Sequence, residues 1–149
     1  MKKKDIVLGY KITKIQSTKF EFKEIEEEKI KVVFFDNESL RVDMGVQIQV
    51  DNEKSIVTIH IETNVVEKET EDSLIKHTGI TSFIINGLDE MLNKEDDSYD
   101  FPPEFLVQLY SLSHSHARAL LASKLSSTVY RDKFFLPIVD PKKVFGLED

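Results

Sequence analysis

The sequence predicts an α+β domain in which an antiparallel sheet comes first and a helical layer follows. Three observations predict it. From Leu40 the apolar positions are Leu40, Val42, Met44, Val46, Ile48 and Val50, separated by Arg41, Asp43, Gly45, Gln47 and Gln49. Successive side chains of a strand point to opposite faces, so this strict period of two is a strand with one wet face. Next, the polar turn Asp51-Asn52-Glu53-Lys54 leads into residues 55–65, with Val57, Ile59, Ile61 and Val65 on one face. A short polar turn between two alternating runs makes an antiparallel hairpin. Finally, the pattern changes after an acidic linker at 93–100. Phe105, Leu106, Leu109, Leu112, Leu120, Leu121 and Leu125 recur at helical spacing.

The remaining elements follow in order. Residues 9–15 and 18–22 alternate more weakly, and 30–35 is a short apolar run. A further strong strand spans about 74–85, after the acidic stretch Glu67-Lys68-Glu69-Thr70-Glu71-Asp72. Pro103 suits a first helical position, where its missing N–H costs nothing. Ala117, Ala119 and Ala122 favour helix, so one or two consecutive helices are expected from about 103 to 130. Phe134-Phe135-Leu136-Pro137-Ile138-Val139-Asp140-Pro141 is apolar but broken by proline, and is therefore extended. A last short turn carries Val144 and Phe145. Neither repeats nor low-complexity segments occur, and 149 residues fit one domain over 1–149.

Composition bounds the function. The formal net charge is −7. Nucleic-acid binding needs a basic face, so no nucleic-acid partner is expected. Cysteine is absent, which removes disulfides and thiolate metal sites and suits a reducing compartment. The basic start Met1-Lys2-Lys3-Lys4 precedes an apolar stretch too short for a signal peptide, since Lys11 and Lys14 interrupt it. No apolar run approaches the roughly 20 residues of a membrane span. A cytoplasmic protein without stable membrane insertion is expected.

Catalytic signatures are missing. There are five glycines and no phosphate-binding or nucleophile-elbow pattern. Ser113-His114-Ser115-His116 invites a metal reading, but histidines at i and i+2 on a helix point about 200° apart and cannot share one ion. The expectation is helix-surface or helix–sheet histidines, and His60 and His77 fall on strands. The acidic clusters Glu24/Glu26/Glu27/Glu28, Glu67/Glu69/Glu71/Asp72 and Glu95/Asp96/Asp97 lack the spacing and central glycine of a calcium loop. Solvated loops, or a docking face for a basic partner, are the readings left. The expectation is therefore no enzyme, no metal and no cofactor.

The aromatics say more. With ten Phe and no Trp, most should be core. Yet neighbours on an extended segment point to opposite sides, so Phe34-Phe35 and Phe134-Phe135 cannot both bury within one subunit. One of each pair needs another subunit or a ligand to cover it. The part of the polar face of the 40–50 strand that carries Gly45, Gln47 and Gln49 is uncharged and flat enough to pack on another sheet.

The order Phe101-Pro102-Pro103, a helix carrying His116-Ala117-Arg118, then Phe134-Phe135-Leu136-Pro137-Ile138-Val139-Asp140 and Val144-Phe145 resembles the SecB family of export chaperones. The first half is similar as well. Tyr10-Lys11-Ile12-Thr13-Lys14-Ile15 followed by Phe20-Glu21-Phe22 looks like the family's first strand and its bend. The runs 39–50, 55–65 and 74–85 stand where strands two to four would be. Gly79-Ile80-Thr81-Ser82-Phe83-Ile84-Ile85 is similar to the fourth strand's glycine-led apolar run.

This resemblance implies a four-stranded antiparallel sheet covered on one side by C-terminal helices. It implies a homo-oligomer, a dimer of dimers, that binds unfolded or precursor polypeptides in apolar grooves without ATP. The client-binding residues it implies are Ile80, Phe83 and Ile85 on the fourth strand, Phe101 and Phe105 at the crossover, and Phe134, Phe135 and Leu136 beside the last proline. Two departures accompany it. The sequence closes at 145–149 without the polar tail that docks export chaperones on SecA, and 88–100 is a longer insertion. Besides SecA as a partner, an antitoxin client is therefore a variant of the same expectation. The other reading is a dedicated adaptor with one specific protein partner. A chaperone would suppress aggregation of unrelated clients and bind ANS, whereas an adaptor would form one stoichiometric complex.

Overall fold

The computed structural model describes residues 9–35 and 37–147, the side chains at 35 and 37 excepted. The basic start at 1–8 and the second ring of the Phe34–Phe35 pair therefore lie outside the described residues. The chain is α+β. It runs β1 (Tyr10–Phe22), α1 (Glu27–Phe35), β2 (Leu40–Asp51), β3 (Ile56–Glu67), β4 (Ser73–Ile85), β5 (Leu92–Asn93), β6 (Ser98–Tyr99), α2 (Pro103–Leu125) and α3 (Pro141–Val144). Short 3₁₀ turns precede β2 and β5.

Four strands form one antiparallel sheet in the order β1-β4-β3-β2. The β2–β3 hairpin and β4 fall where alternation places them. β1 alternates weakly for a physical reason: its pairing with β4 slips between Ile12 and Lys14 and again between Ser17 and Lys19. Each irregularity adds a residue and flips the following side chains to the other face. In register, Tyr10, Ile12, Ile15, Ser17, Phe20 and Phe22 lie opposite Ile85, Phe83, Thr81, Gly79, His77 and Ile75. A strict period-two reading misses that row.

β1 and β2 are opposite edges of the sheet, so residues 23–39 must cross it, and α1 lies within that crossing. The acidic linker at 93–100 is a small hairpin in which Asn93 pairs with Ser98. One helix, α2, ends at Leu125, and turns rather than helix continue to Lys133.

One sheet face is covered. α2 packs on β4, β3 and β1. It runs antiparallel to β4, with Phe105 at the Tyr10–Ile85 end and Tyr130, beyond its C-terminus, against Phe22. Val57, Ile59, Ile61, Ile75, Phe83 and Ile85 are buried against Phe105, Leu109, Ala117, Leu121 and Leu125. Each large apolar side chain buried here is worth about 1.5–3 kcal/mol. The inward row of β2 (Val42, Met44, Val46, Ile48, Val50) is only half-buried, since α2 lies over the other three strands.

Gly79 lets α2 approach. A Cβ on it would lie 3.3 Å from both Cα and Cβ of Ala117. Gly79→Val is expected to push the helix outward and cost about 1–3 kcal/mol, as overpacking does. The drop in urea midpoint measures it.

Candidate functional site

The extended segment at 134–140 is clamped to the outer side of α2 through its own carbonyls. Arg118 Nε donates to Leu136 O at 2.9 Å, and His114 Nε2 donates to Pro137 O at 2.8 Å. Because a carbonyl only accepts, His114 carries its proton on Nε2, which leaves Nδ1 to accept from the Tyr110 phenol at 3.3 Å. Residues 114 and 118 share a helix face at i and i+4. Asp140 caps α3 by accepting from Lys142 N at 3.0 Å, and the Phe145 ring stands edge-on to Tyr110. The strip is thus fixed at its backbone. Of its side chains, Phe134 and Leu136 turn inward, while Phe135 is 58% and Ile138 79% exposed. Phe135 and Leu136 line a shallow cavity of about 270 Å³ with Ser115, Arg118 and Ala119.

The eight residues singled out from sequence do not converge. Phe83, Ile85 and Phe105 are buried between sheet and helix, where Tyr10 contacts both Phe83 and Phe105 edge-on at 5.7 and 5.9 Å. Phe101, half-buried, stacks on Tyr99 at 5.7 Å. Phe101 and Phe105 are not at the crossover: the crossing segment is 23–39, and these rings sit at the other end of the sheet. Ile80 lies on the opposite sheet face from Phe83 and Ile85, as the parity of β4 requires. It stands in a row with Gln47, His60 and Gln16 and is 9% exposed. Phe134 is 8% and Leu136 1% exposed. Of the eight, only Phe135 is strongly exposed, with Phe101 partly so.

The open sheet face is polar and self-satisfied at its centre. His60 Nε2 pairs with Gln49 Oε1 at 3.0 Å, and Thr58 Oγ1 with Ser82 Oγ at 2.7 Å. Charges collect toward the far end, where Asp43, Glu62, Lys76 and Lys19 line an open hollow of about 440 Å³.

Histidine plays a structural part. His116 Nδ1 bonds Thr81 Oγ1 at 2.9 Å, tying α2 to the sheet, and burial lowers its pKa. His77, 1% exposed, bonds Ser17 Oγ through Nε2 at 2.8 Å. Burial, and then the charge of Lys124, push its pKa down to about 4. No group of three His, Asp or Glu placed to hold a metal occurs among the described residues. No described helix is long and apolar enough to cross a membrane.

Sequence reasoning missed Ile138, the anchors His114 and Arg118, and the hub Tyr130. The i, i+4 spacing of His114 and Arg118 was a readable signal. Ile138, between two prolines on an extended strip, was another.

No protein-family model matches the chain, and no curated protein matches it. Among solved structures it is similar to a SecB-like chaperone of Mycobacterium tuberculosis in complex with a peptide from the HigA1 antitoxin. The two share 11% identity at a TM-score of 0.46, over 87% of this chain and 89% of that one.

Proposed function

We propose that this chain is a nucleotide-independent binder of non-native polypeptide, of the chaperone class. The observation that carries the reading is the strip at 134–140. Its carbonyls are tied down while Phe135 and Ile138 face solvent. An apolar edge held rigid and left uncovered offers another chain burial worth roughly 25 cal/mol per Å², with little ordering cost on its own side. The net charge of −7 carried by the whole chain keeps a loaded complex soluble and draws in basic segments. No catalytic role is assigned to any residue in this reading, and it needs neither metal nor cofactor. It places the protein in the cytoplasm as a homo-oligomer, for which the two long sheet edges, β1 and β2, are available. Precursors awaiting export and an antitoxin are its two client classes, the first with SecA as the receiving motor.

A second reading, a dedicated adaptor for one protein, is favoured by a different observation. Ile80, Phe83, Ile85, Phe105, Phe134 and Leu136 are all closed off within the subunit. That leaves a small apolar surface for general capture of unfolded chains.

Light scattering of reduced, unfolded clients separates the two. The chaperone reading expects suppressed aggregation of several unrelated clients without nucleotide. Phe135→Asp and Ile138→Asp should each weaken binding about tenfold, from the lost apolar burial, and leave stability within about 0.5 kcal/mol. Suppression for one client alone selects the adaptor. Full suppression by the double variant removes the strip as the site.

A further inference from the structure

The open sheet face is polarised from edge to edge. Lys11, Lys14 and Lys19 stand along β1, while Asp43, Asp51 and, one strand in, Glu62 stand toward β2. With Lys76 and Glu21, the charges from the Lys11 row to the Glu21 row balance, on a chain whose net charge is −7. Lys11, Lys19 and Glu62 are exposed and take no ion pair among the described residues. The centre of the face needs no new partner, since His60 already holds Gln49 and Thr58 holds Ser82. Covering those pairs leaves their bonds intact. Ile84 is 39% exposed and lies opposite the half-buried Ile56. Gly45 leaves a gap in the β2 row. A Cβ there would lie 3.3 Å from Glu62 Oε2, and the gap opens into the hollow of about 440 Å³.

We propose that this face packs on the same face of a second copy, about a two-fold axis parallel to the strands. An isologous contact must be self-complementary, and this axis makes it so. It lays β1 of each copy over β2 of the other and sets each cross-strand row against itself. Lys11 then meets Asp51, Ile84 meets Ile56, and Gln16 meets Gln47. Lys19 enters the gap at Gly45, beside Glu62. Each of these contacts forms twice. A two-fold axis across the strands would instead set Lys14 on Lys19 and Asp51 on Asp43, so charge selects the first axis. One like-charge meeting remains, Glu21 over Asp43, at the end where Arg41 already holds Asp43 at 3.0 Å. Sheets packed face to face keep their strands within about 30° of each other, as this axis requires. At about 3.3 Å per residue and 4.8 Å per strand the face measures roughly 35 by 20 Å. That is about 700 Å² per copy, close to the roughly 800 Å² per partner of a stable complex. The contact deepens the homo-oligomer reading above, on which it rests, by placing it on a face and leaving both edges free.

Charge reversal tests it. Lys19→Glu sets a carboxylate against Glu62 of the other copy. It should raise the dimer dissociation constant, read by analytical ultracentrifugation, about a hundredfold, and Glu62→Lys should do the same. The double variant restores the pair with its signs exchanged and should return to within about threefold of the parent. Glu62 lies on β3, an inner strand, so an edge contact would not give that rescue. Gly45→Gln closes the gap without changing charge, on a backbone without positive φ, and should raise the constant about tenfold. Urea midpoints measured alongside should stay near the parent's, which separates lost association from lost folding. A monomeric parent overturns the face contact and the homo-oligomer reading together. Association equally tight in the parent and every variant overturns the face and leaves the homo-oligomer standing. A loss in the single variants that the double variant does not recover overturns the Lys19–Glu62 meeting and with it the axis.

Discussion

Replacing Tyr130 with alanine is expected to cost about 3–5 kcal/mol, the range for removing a fully buried large aromatic. Tyr130 lies beyond the end of α2 and is fully buried. Its ring meets Phe22 and Phe34 edge-on, and its phenol donates to Lys23 O, fastening the crossing segment where it leaves β1. Lys23 N in turn donates to Leu74 O at 2.8 Å. One side chain thus joins the end of the helical layer, the crossing segment and the sheet. Burial, and then the charge of Glu67, raise the phenol to about 12, so it remains a donor throughout the neutral range. Tyr130→Phe separates the two contributions. It keeps the ring and strands the Lys23 carbonyl, for an expected loss of about 1–2 kcal/mol. Denaturant midpoints at pH 7 give both numbers. A loss below about 1 kcal/mol for Tyr130→Ala would remove Tyr130 as the hub.

The legible parts of this fold were those that alternate or repeat without interruption. Leu40 to Val50 keeps its period because β2 pairs with β3 without a slip. α2 reads cleanly because one apolar stripe meets the sheet along β4, β3 and β1. β1 was harder, since two register shifts scramble its period. α1 was missed because Val32 and Phe35 fill the gaps in the i, i+3, i+4 row of Ile30, Val33 and Phe34, so the segment reads as one continuous apolar run. The candidate site divides along the same line. Alternation of an extended segment requires one of Phe134 and Phe135 to face out, and Phe135 does. Which residues of β4 share a face was also readable, and parity alone separates Ile80 from Phe83 and Ile85. What no local pattern could supply was cover: whether Phe134 sees solvent depends on α1, whose position is set by a crossing that begins more than a hundred residues earlier.

Acidification should weaken the fold through His77. The ring lies under α2 on the covered face of β4. Ser17 of β1 is its partner, Thr63 of β3 is its cross-strand neighbour, and the positive charge of Lys124 of α2 acts on it. Neither Thr63 Oγ1 nor His77 Nδ1 has a hydrogen-bond partner among the described residues. An added proton would therefore meet no carboxylate and one lysine. The folded state holds the pKa at about 4 against 6.5 for the free side chain, so the unfolded chain binds this proton first. Stability is then full above about pH 6.5, falls as pH drops toward 4, and levels off once the folded ring also protonates. At about 1.36 kcal/mol per pH unit, the loss across that window is roughly 3 kcal/mol. His116, also lowered by burial, adds in the same direction. Asp72, held low by Lys23, matters only at lower pH. His77→Gln places an amide near the former Nε2, within reach of Ser17, and removes the titration. Urea midpoints at pH 7 and 4.5 should differ much less in that variant than in the parent. Equal pH dependence in the two would show that the ring protonates freely in place, and that α2 does not close over it.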